Sequence, residues 1–329
     1  MPAPEATYDV LGIGNAIVDV LGRVDDGFLT AQGLVKGSMA LIDGARAETL
    51  YGAMSGGVES SGGSAANTVA GVASFGGRSA FVGKVADDPL GEVFARDLRS
   101  VGVAYDAPPA SGGEPTARCM VFVTPDAQRT MCTFLGVSRE LARADLDPDL
   151  VARSRVTFME GYLWDPPAAK DAFVRAAEVA HAHGREVALS LSDPFCVERH
   201  RASFLDLIDH HIDLVIANEL EIKSLFETDS FDEAAQRVAS LSRLAVLTRS
   251  ERGAVVVSGA ERVVVPAVPV DRVVDTTGAG DLFAAGFLYG HTHGYGLERA
   301  ARLGARAAAE VISHMGARPK IELAALRDA

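Results

Sequence analysis

The stretch Val274-Asp275-Thr276-Thr277-Gly278-Ala279-Gly280-Asp281-Leu282-Phe283-Ala284-Ala285-Gly286-Phe287-Leu288 reads as a glycine turn feeding a helix. Gly278 and Gly280 can take backbone angles closed to other residues. The apolar run behind them meets no further breaker until Gly290, apart from Gly286, which a helix tolerates. Several N–H groups then leave the helix start without a partner. Together with the helix dipole they make an anion site. Asp281 is the odd member, because a carboxylate beside an anion site repels the anion unless it has another task. Taking a proton from a nucleophile is such a task, and an anion hole with a base suits phosphoryl transfer. The plainer alternative is an ordinary first-turn Asp favoured by the dipole.

Bulk properties narrow the setting. The chain has 329 residues, enough for a large domain with an appendage or for two domains. An apolar fraction of 48% supports a sizeable core, and 33 glycines point to many tight turns. A net charge of −13 argues against a nucleic-acid partner or an anionic membrane surface, so a phosphate ligand has to be held by a local site. Cys119, Cys132 and Cys196 have no metal-like spacing and suit a reducing cytoplasm. Glu5 and Asp9 near the start, with no long apolar run, predict no signal peptide, and no stretch is apolar enough to span a bilayer.

Along the chain, Val10-Leu11-Gly12-Ile13-Gly14 predicts a first buried strand. A dinucleotide turn fails here, because Ile17 stands where the third glycine belongs. Asn15 and Asp19 follow the strand, as turn formers or as ligand groups. Residues 20–45 predict short strands and turns, and Glu48 to Met54 a short helix. At Gly62-Gly63-Ser64-Ala65-Ala66-Asn67, two glycines precede a Ser that predicts an N-cap. Asn67 lies one turn in, as a buried structural amide or a ligand contact. A P-loop is absent, since the glycine spacing before Lys84 is one too long and Val85 replaces the Ser or Thr. Residues 116–135 predict a hairpin with Arg129 at the start of its return strand. Beyond residue 150, strands and helices alternate, with helices expected at 167–183, 201–210, 219–227, 231–241, 281–290 and 297–314. Such alternation implies a mostly parallel sheet covered on both faces. Asn218 and Glu221, three apart after a strand, could order Mg²⁺, which needs few protein oxygens. Asn218 is equally a common N-cap.

These three motifs, Gly62–Asn67, Asn218-x-x-Glu221 and Asp275–Asp281, closely resemble in order and spacing those of the ribokinase-like (PfkB) carbohydrate and nucleoside kinase family. The resemblance covers essentially the whole chain. Gly14-Asn15-Ala16-Ile17-Val18-Asp19 and Gln128-Arg129-Thr130-Met131 are similar to the start and the lid strand of its adenosine kinase branch. The resemblance implies an α/β fold, a three-layer α/β/α domain with a mostly parallel sheet and a small β-sheet lid. The lid is expected at 17–45 and 111–137, and the large domain at 1–16, 46–110 and 138–329. It further implies Asp281 as base, with Gly278, Ala279 and Gly280 as the anion hole and Arg129 closing over it. Asn15, Asp19, Gly62, Gly63 and Asn67 would hold the acceptor, with Met39, Met131 and Tyr162 as candidates around a purine. Thr248, Gly253 and Thr276 would lie by ATP, Ala305 and Ala308 along its adenine, and Asn218 and Glu221 by Mg²⁺. The acceptor is expected to be the 5′-hydroxyl of adenosine; a ribokinase- or fructokinase-like sugar kinase is the alternative, and a non-catalytic ligand sensor a third. A requirement for a monovalent cation such as K⁺ is left open, as is the choice between monomer and homodimer.

Overall fold

The computed structural model describes residues 5–54, 56–126 and 128–328. The first third runs β1 (Tyr8–Ile13), β2 (Ile17–Arg23), α1 (Asp26–Ala31), β3 (Met39–Leu41), α2 (Gly44–Ala53), β4 (Val58–Gly62) and α3 (Ser64–Ser74). Next come β5 (Ser79–Val82), α4 (Pro89–Ser100), β6 (Val103–Ala104), β7 (Ala117–Val123), β8 (Arg129–Phe134), α5 (Pro148–Ala152) and β9 (Ser154–Glu160). Then follow α6 (Pro167–Ala182), β10 (Glu186–Ser190), α7 (Pro194–His211), β11 (Leu214–Asn218), α8 (Glu219–Phe226) and α9 (Phe231–Leu241). The chain finishes with β12 (Leu244–Thr248), β13 (Ala254–Ser258), β14 (Glu261–Val265), α10 (Ala279–Thr292) and α11 (Leu297–Ile312).

Among the described residues, nine strands form the large sheet in the order β14-β13-β12-β11-β10-β9-β1-β5-β6. Its pairings are parallel from β6 to β12, and β13 and β14 add antiparallel at one edge. Alternation along each strand decides the layers. Val10, Phe158, Ala188, Ile216 and Val246 face a core shared with α3, α10 and α11. Their neighbours Leu11, Met159, Leu189, Val215 and Leu247 face a second core shared with α6, α7, α8 and α9. The result is the expected three-layer α/β/α arrangement, which puts the carboxyl ends of the parallel strands along one edge. No helix among the described residues is long and apolar enough to cross a membrane.

A second sheet has the order β3-β8-β7-β2-β4, with β7 and β8 as the predicted antiparallel hairpin. Its two faces separate cleanly. Met120, Phe122 and Cys132 pack beneath α1 and α2, with Leu29, Ala47 and Leu50. Cys119, Val121 and Val123 look the other way, with Ile17, Leu21, Met131 and Met315 against them.

Several expectations are corrected. Residues 46–110 were expected wholly in the large domain, but α2 packs on the small sheet and β4 pairs with β2 inside it. The Ser- and Gly-rich composition of β4 hides its strand character. Residues 20–45 contain the helix α1, started by Asp25 accepting from the Phe28 N–H at 2.7 Å. Helix α7 begins at Pro194 instead of 201, because Asp193 caps it through the Cys196 N–H at 2.6 Å. The charged run Glu198–Arg201 obscures that first turn. Ser64 is the first helical residue, not the N-cap; Gly63 holds the cap position at φ 93°. That shift frees the Ser64 hydroxyl for the site.

Candidate active site

Helix α10 begins where the sequence predicts, with Gly278 in the left-handed region at φ 79°. A Cβ there would come within 2.8 Å of Ala317, so only glycine lets the turn close. The Ala279 N–H donates to the Thr276 carbonyl at 3.2 Å and is therefore spent on the turn. The N–H groups of Gly280 and Asp281 sit in the first turn, where a helix offers them no acceptor of its own. Asp275 braces the loop: its carboxylate accepts from the Thr277 N–H at 3.0 Å and the Gly316 N–H at 2.8 Å. Arg129, at the start of β8, ion-pairs with Asp275 at 2.5 Å and donates to the Thr277 hydroxyl at 2.8 Å. The arginine of the small sheet thus lies against the Gly278 turn.

Asp281 projects from this first turn between two donors of α3. Ser64 Oγ donates to its Oδ1 at 2.6 Å and Asn67 Nδ2 to its Oδ2 at 2.9 Å. Burial pushes its pKa up, and the bonds from Ser64 and Asn67 together with the charge of Arg318 pull against that shift. Asn67 Oδ1 is buried and has no hydrogen-bond partner among the described residues. An acceptor in that condition asks for a donor from a ligand, such as a sugar hydroxyl. Asp19 faces the same space from β2. A Cβ on Gly62 would lie 2.4 Å from its carboxylate, so this glycine makes room for it. Burial raises the Asp19 pKa to about 6, with Arg318 and Arg129 opposing and Asp281 adding to the rise.

Asn15 is fixed from below by a residue the sequence did not single out. Glu160, at the end of β9, accepts from Asn15 N and Asn15 Nδ2, each at 2.7 Å, and from the Ala65 N–H at 2.7 Å. It therefore ties β1, β9 and the start of α3 together. Burial lifts its pKa to about 7 despite those three bonds. Ser138 completes the chain by donating to Asn15 Oδ1 at 2.9 Å. Arg318 is the second unforeseen group, reaching the carbonyls of Ala66 and Ser61 from the C-terminal loop. Only the proximity of Glu160 to a strand end hinted at the first; no local pattern marks the second.

The remaining predicted residues line the same edge more loosely. Thr248 ends β12 directly beside Asn218 on β11. Gly253, at φ 83°, lies against β14, where a Cβ would meet the Val265 carbonyl at 2.0 Å. Thr276 is exposed in the loop before Gly278. Ala305 is buried in the core, so only Ala308 of that pair has free surface on α11. Met39 and Met131 are register partners on β3 and β8, and Met39 is half exposed. Tyr162 follows β9; its hydroxyl donates to the Ser192 carbonyl at 3.2 Å. Burial raises its pKa, and the charges of Asp193, Asp281, Glu221 and Glu160 add to that, so it borders the acidic centre.

Residues 39–323 match the sequence profile of the pfkB family carbohydrate kinases. The chain belongs to this family. Among solved structures, it is 55% identical to an adenosine kinase from Sinorhizobium meliloti, with a TM-score of 0.91 over 98% of this chain and 99% of that one. It is 50% identical to a probable sugar kinase from Rhizobium etli CFN 42, also at a TM-score of 0.91, over 98% of both chains. Adenosine kinase 1 of Arabidopsis thaliana is 27% identical over 336 residues, 93% of this chain and 94% of that protein. As a pfkB-family member, the protein is a phosphotransferase acting on hydroxyl groups.

The family implies ATP and usually Mg²⁺. The residues suit the nucleotide: a positive-φ glycine turn, unspent first-turn N–H groups and an arginine meet where phosphate oxygens need donors. They do not form a metal cage. Asn218 and Glu221 use their oxygens on each other in a capping box, with Glu221 N donating to Asn218 Oδ1 and Asn218 N to Glu221 Oε2, each at 2.9 Å. No group of three or more His, Cys, Asp or Glu side chains converges as a metal site among the described residues.

Proposed function

We propose that the protein transfers the γ-phosphoryl of ATP to the 5′-hydroxyl of adenosine, with Asp281 as the base. The observation that carries this is the position of the Asp281 carboxylate, aimed by Ser64 and Asn67 from the same helix turn that offers N–H groups to an anion. Phosphoryl transfer needs mainly positioning and charge neutralisation. A hydroxyl is a poor nucleophile, so a base within hydrogen-bond reach removes its proton, and a raised pKa makes Asp281 a better one. Gly278 and Gly280 shape the anion hole, Ala279 closes its turn, and Arg129 faces the charge of the transferring group. Asn15, Asp19, Gly62, Gly63 and Asn67 hold the acceptor's sugar hydroxyls. Thr248, Gly253, Thr276 and Ala308 border the nucleotide, and Asn218 and Glu221 would lie beside the Mg²⁺ that accompanies it. The five-stranded sheet acts as the lid that excludes water. The three buried free cysteines fit a cytoplasmic protein.

Adenosine is favoured over a free sugar by the lid face that carries Asp19. That face also carries Arg23, Ser60, Thr133 and Arg129, but Ile17, Leu21, Val121 and Met131 form an apolar cluster on it. A flat base can be buried there, whereas a free sugar would leave the surface unused. The likeness to the S. meliloti adenosine kinase supports the same choice. A sugar kinase is the second reading, because the hydroxyl-binding groups would serve either acceptor. An ATP-consumption panel with adenosine, other nucleosides, ribose and fructose decides between them: adenosine should give the highest kcat/KM, and a preference for ribose or fructose would reject the proposal.

A further inference from the structure

The C-terminal loop puts consecutive residues on different parts of the site. Gly316 N donates to Asp275 at 2.8 Å, and Ala317 fills the space beneath Gly278 that a Cβ there would occupy. Arg318 turns to the other half. Its Nη1 donates to the Ala66 carbonyl at 3.2 Å, and its Nη2 to the Ser61 carbonyl at 3.1 Å and to Ser61 Oγ at 2.9 Å. Between Ser61 and Ala66 lies the turn that makes room for Asp19 at Gly62, packs Gly63 against the Asn15 carbonyl and presents the Ser64 hydroxyl to Asp281. One planar guanidinium therefore grips both ends of that turn.

We propose that Arg318 is a positioning residue for phosphoryl transfer, clamping the Gly62–Gly63 turn at Ser61 and Ala66 so that Ser64 and Asn67 stay aimed at Asp281. This rests on the proposed role of Asp281 as the base. The fork geometry is the property that a point-charged lysine lacks. Ser61 is itself held from the far side, where its N–H and hydroxyl donate to Asp97 at 2.7 and 2.6 Å. The clamp thus has its own counterion on α4, away from the chemistry.

The same position gives Arg318 an electrostatic task. Asp19 from β2 and Asp281 from α10 repel one another across the acceptor space, and burial disfavours the charge on both. The charges facing them are Arg318 from the C-terminal loop, with Arg129 from β8 opposite Asp19, Glu160 from β9 beside Asp281, and Asp97 from α4 next to Arg318. Burial draws the Arg318 pKa down only to about 10, so it stays fully charged at neutral pH. Its removal leaves two close carboxylates with less opposing charge, and both take up protons at a higher pH.

The test compares Arg318→Gln, Arg318→Lys and Asp281→Asn in steady-state kinetics with adenosine and ATP-Mg²⁺ across pH 5 to 9, alongside thermal melts. Arg318→Gln should lower kcat about 10²-fold, the cost of a roughly 1 Å misplacement. It should also move the acid limb of kcat/KM upward by about 1 to 3 units. Arg318→Lys should return the limb to its wild-type position, since the charge is kept, yet remain impaired in kcat because one ammonium cannot span both carbonyls. A folded Arg318→Gln protein with wild-type kcat and an unmoved limb overturns the proposal. If Arg318→Gln does not fold, Arg318→Lys decides, and wild-type kcat there overturns it equally. Wild-type turnover in Asp281→Asn would instead reject the base assignment, so the two failures are told apart.

Discussion

A carboxylate that takes a hydroxyl proton must be both aimed and ionised, and Asp281 meets these demands through different neighbours. Ser64 and Asn67 aim it, while Arg318 opposes the burial that would neutralise it. Asp281→Asn keeps the size and one acceptor but cannot take a proton. It should lose roughly 10²–10⁴ in kcat with substrate binding and melting temperature near wild type. Single-turnover kinetics beside a binding titration checks this, and near-normal turnover would sink the assignment. Asp19 adds a pH dependence. With its pKa raised to about 6, it is mostly ionised only above that pH, and in its proposed role it can accept from the acceptor's hydroxyls only then. Thus kcat/KM should fall as pH drops through about 6, and Asp19→Asn should raise KM and remove that limb. Asp281 was legible because a carboxylate beside a glycine anion turn needs a task of its own, and Asp19 because it follows the first strand within a Gly-Asn-x-x-x-Asp pattern. Ser64 was misread, since a Ser after two glycines ordinarily caps a helix, and only the fold shows its hydroxyl turned to Asp281.

At the scale of elements, glycines and one buried glutamate decide how the motifs meet. Gly286 was legible only as a tolerated helix residue. Its purpose lies in long-range packing, because a Cβ there would come within 2.6 Å of Leu303 and Gly304 on α11. Gly286→Val should therefore force α10 from α11 and cost about 1–3 kcal/mol or more, read as a lower denaturant midpoint at unchanged m-value. A midpoint equal to wild type would show that the helices yield freely. Glu160 was missed because a single acid at a strand end carries no pattern; its partners Asn15 and Ala65 lie far away in sequence. Its folded pKa of about 7 lies above the ordinary 4.5, so the folded state holds the extra proton between those values. The stability it contributes is complete below about 4.5 and is lost as pH rises through about 7. In Glu160→Gln that dependence disappears, and the Ala65 N–H or Asn15 faces an amide donor. The variant should be less stable than wild type, with the gap widest near pH 5 and narrowing towards pH 8. Thermal melts across that range test the sign, and a gap that widens with pH would refute it.

At the scale of the molecule, the small sheet and the large sheet are joined at the site by charge. Arg129 reaches from β8 to Asp275, and Arg318 from the C-terminal loop to Ser61 on β4. That the large sheet is mostly parallel and covered on both faces was readable from the β/α alternation, though its strand order was not. The seam between the sheets was not, because it depends on which residues oppose one another after folding. Arg129 then has a structural task and a proposed chemical one, and substitution can separate them. Asp275 is buried, so Arg129→Ala leaves a carboxylate held by two backbone N–H groups but stripped of its counterion. Breaking a buried pair in this way costs about 3–5 kcal/mol at its upper end, and the loss of charge stabilisation should lower kcat about 10²–10³-fold besides. Arg129→Lys keeps a cation opposite Asp275 but not the fork that meets Asp275 and Thr277 together. It should melt within a few degrees of wild type and still turn over far more slowly. Melting curves and steady-state rates on the same preparations distinguish the cases: a Lys variant with wild-type kcat would show that any positive charge suffices, and that the planar geometry at the seam serves the fold alone.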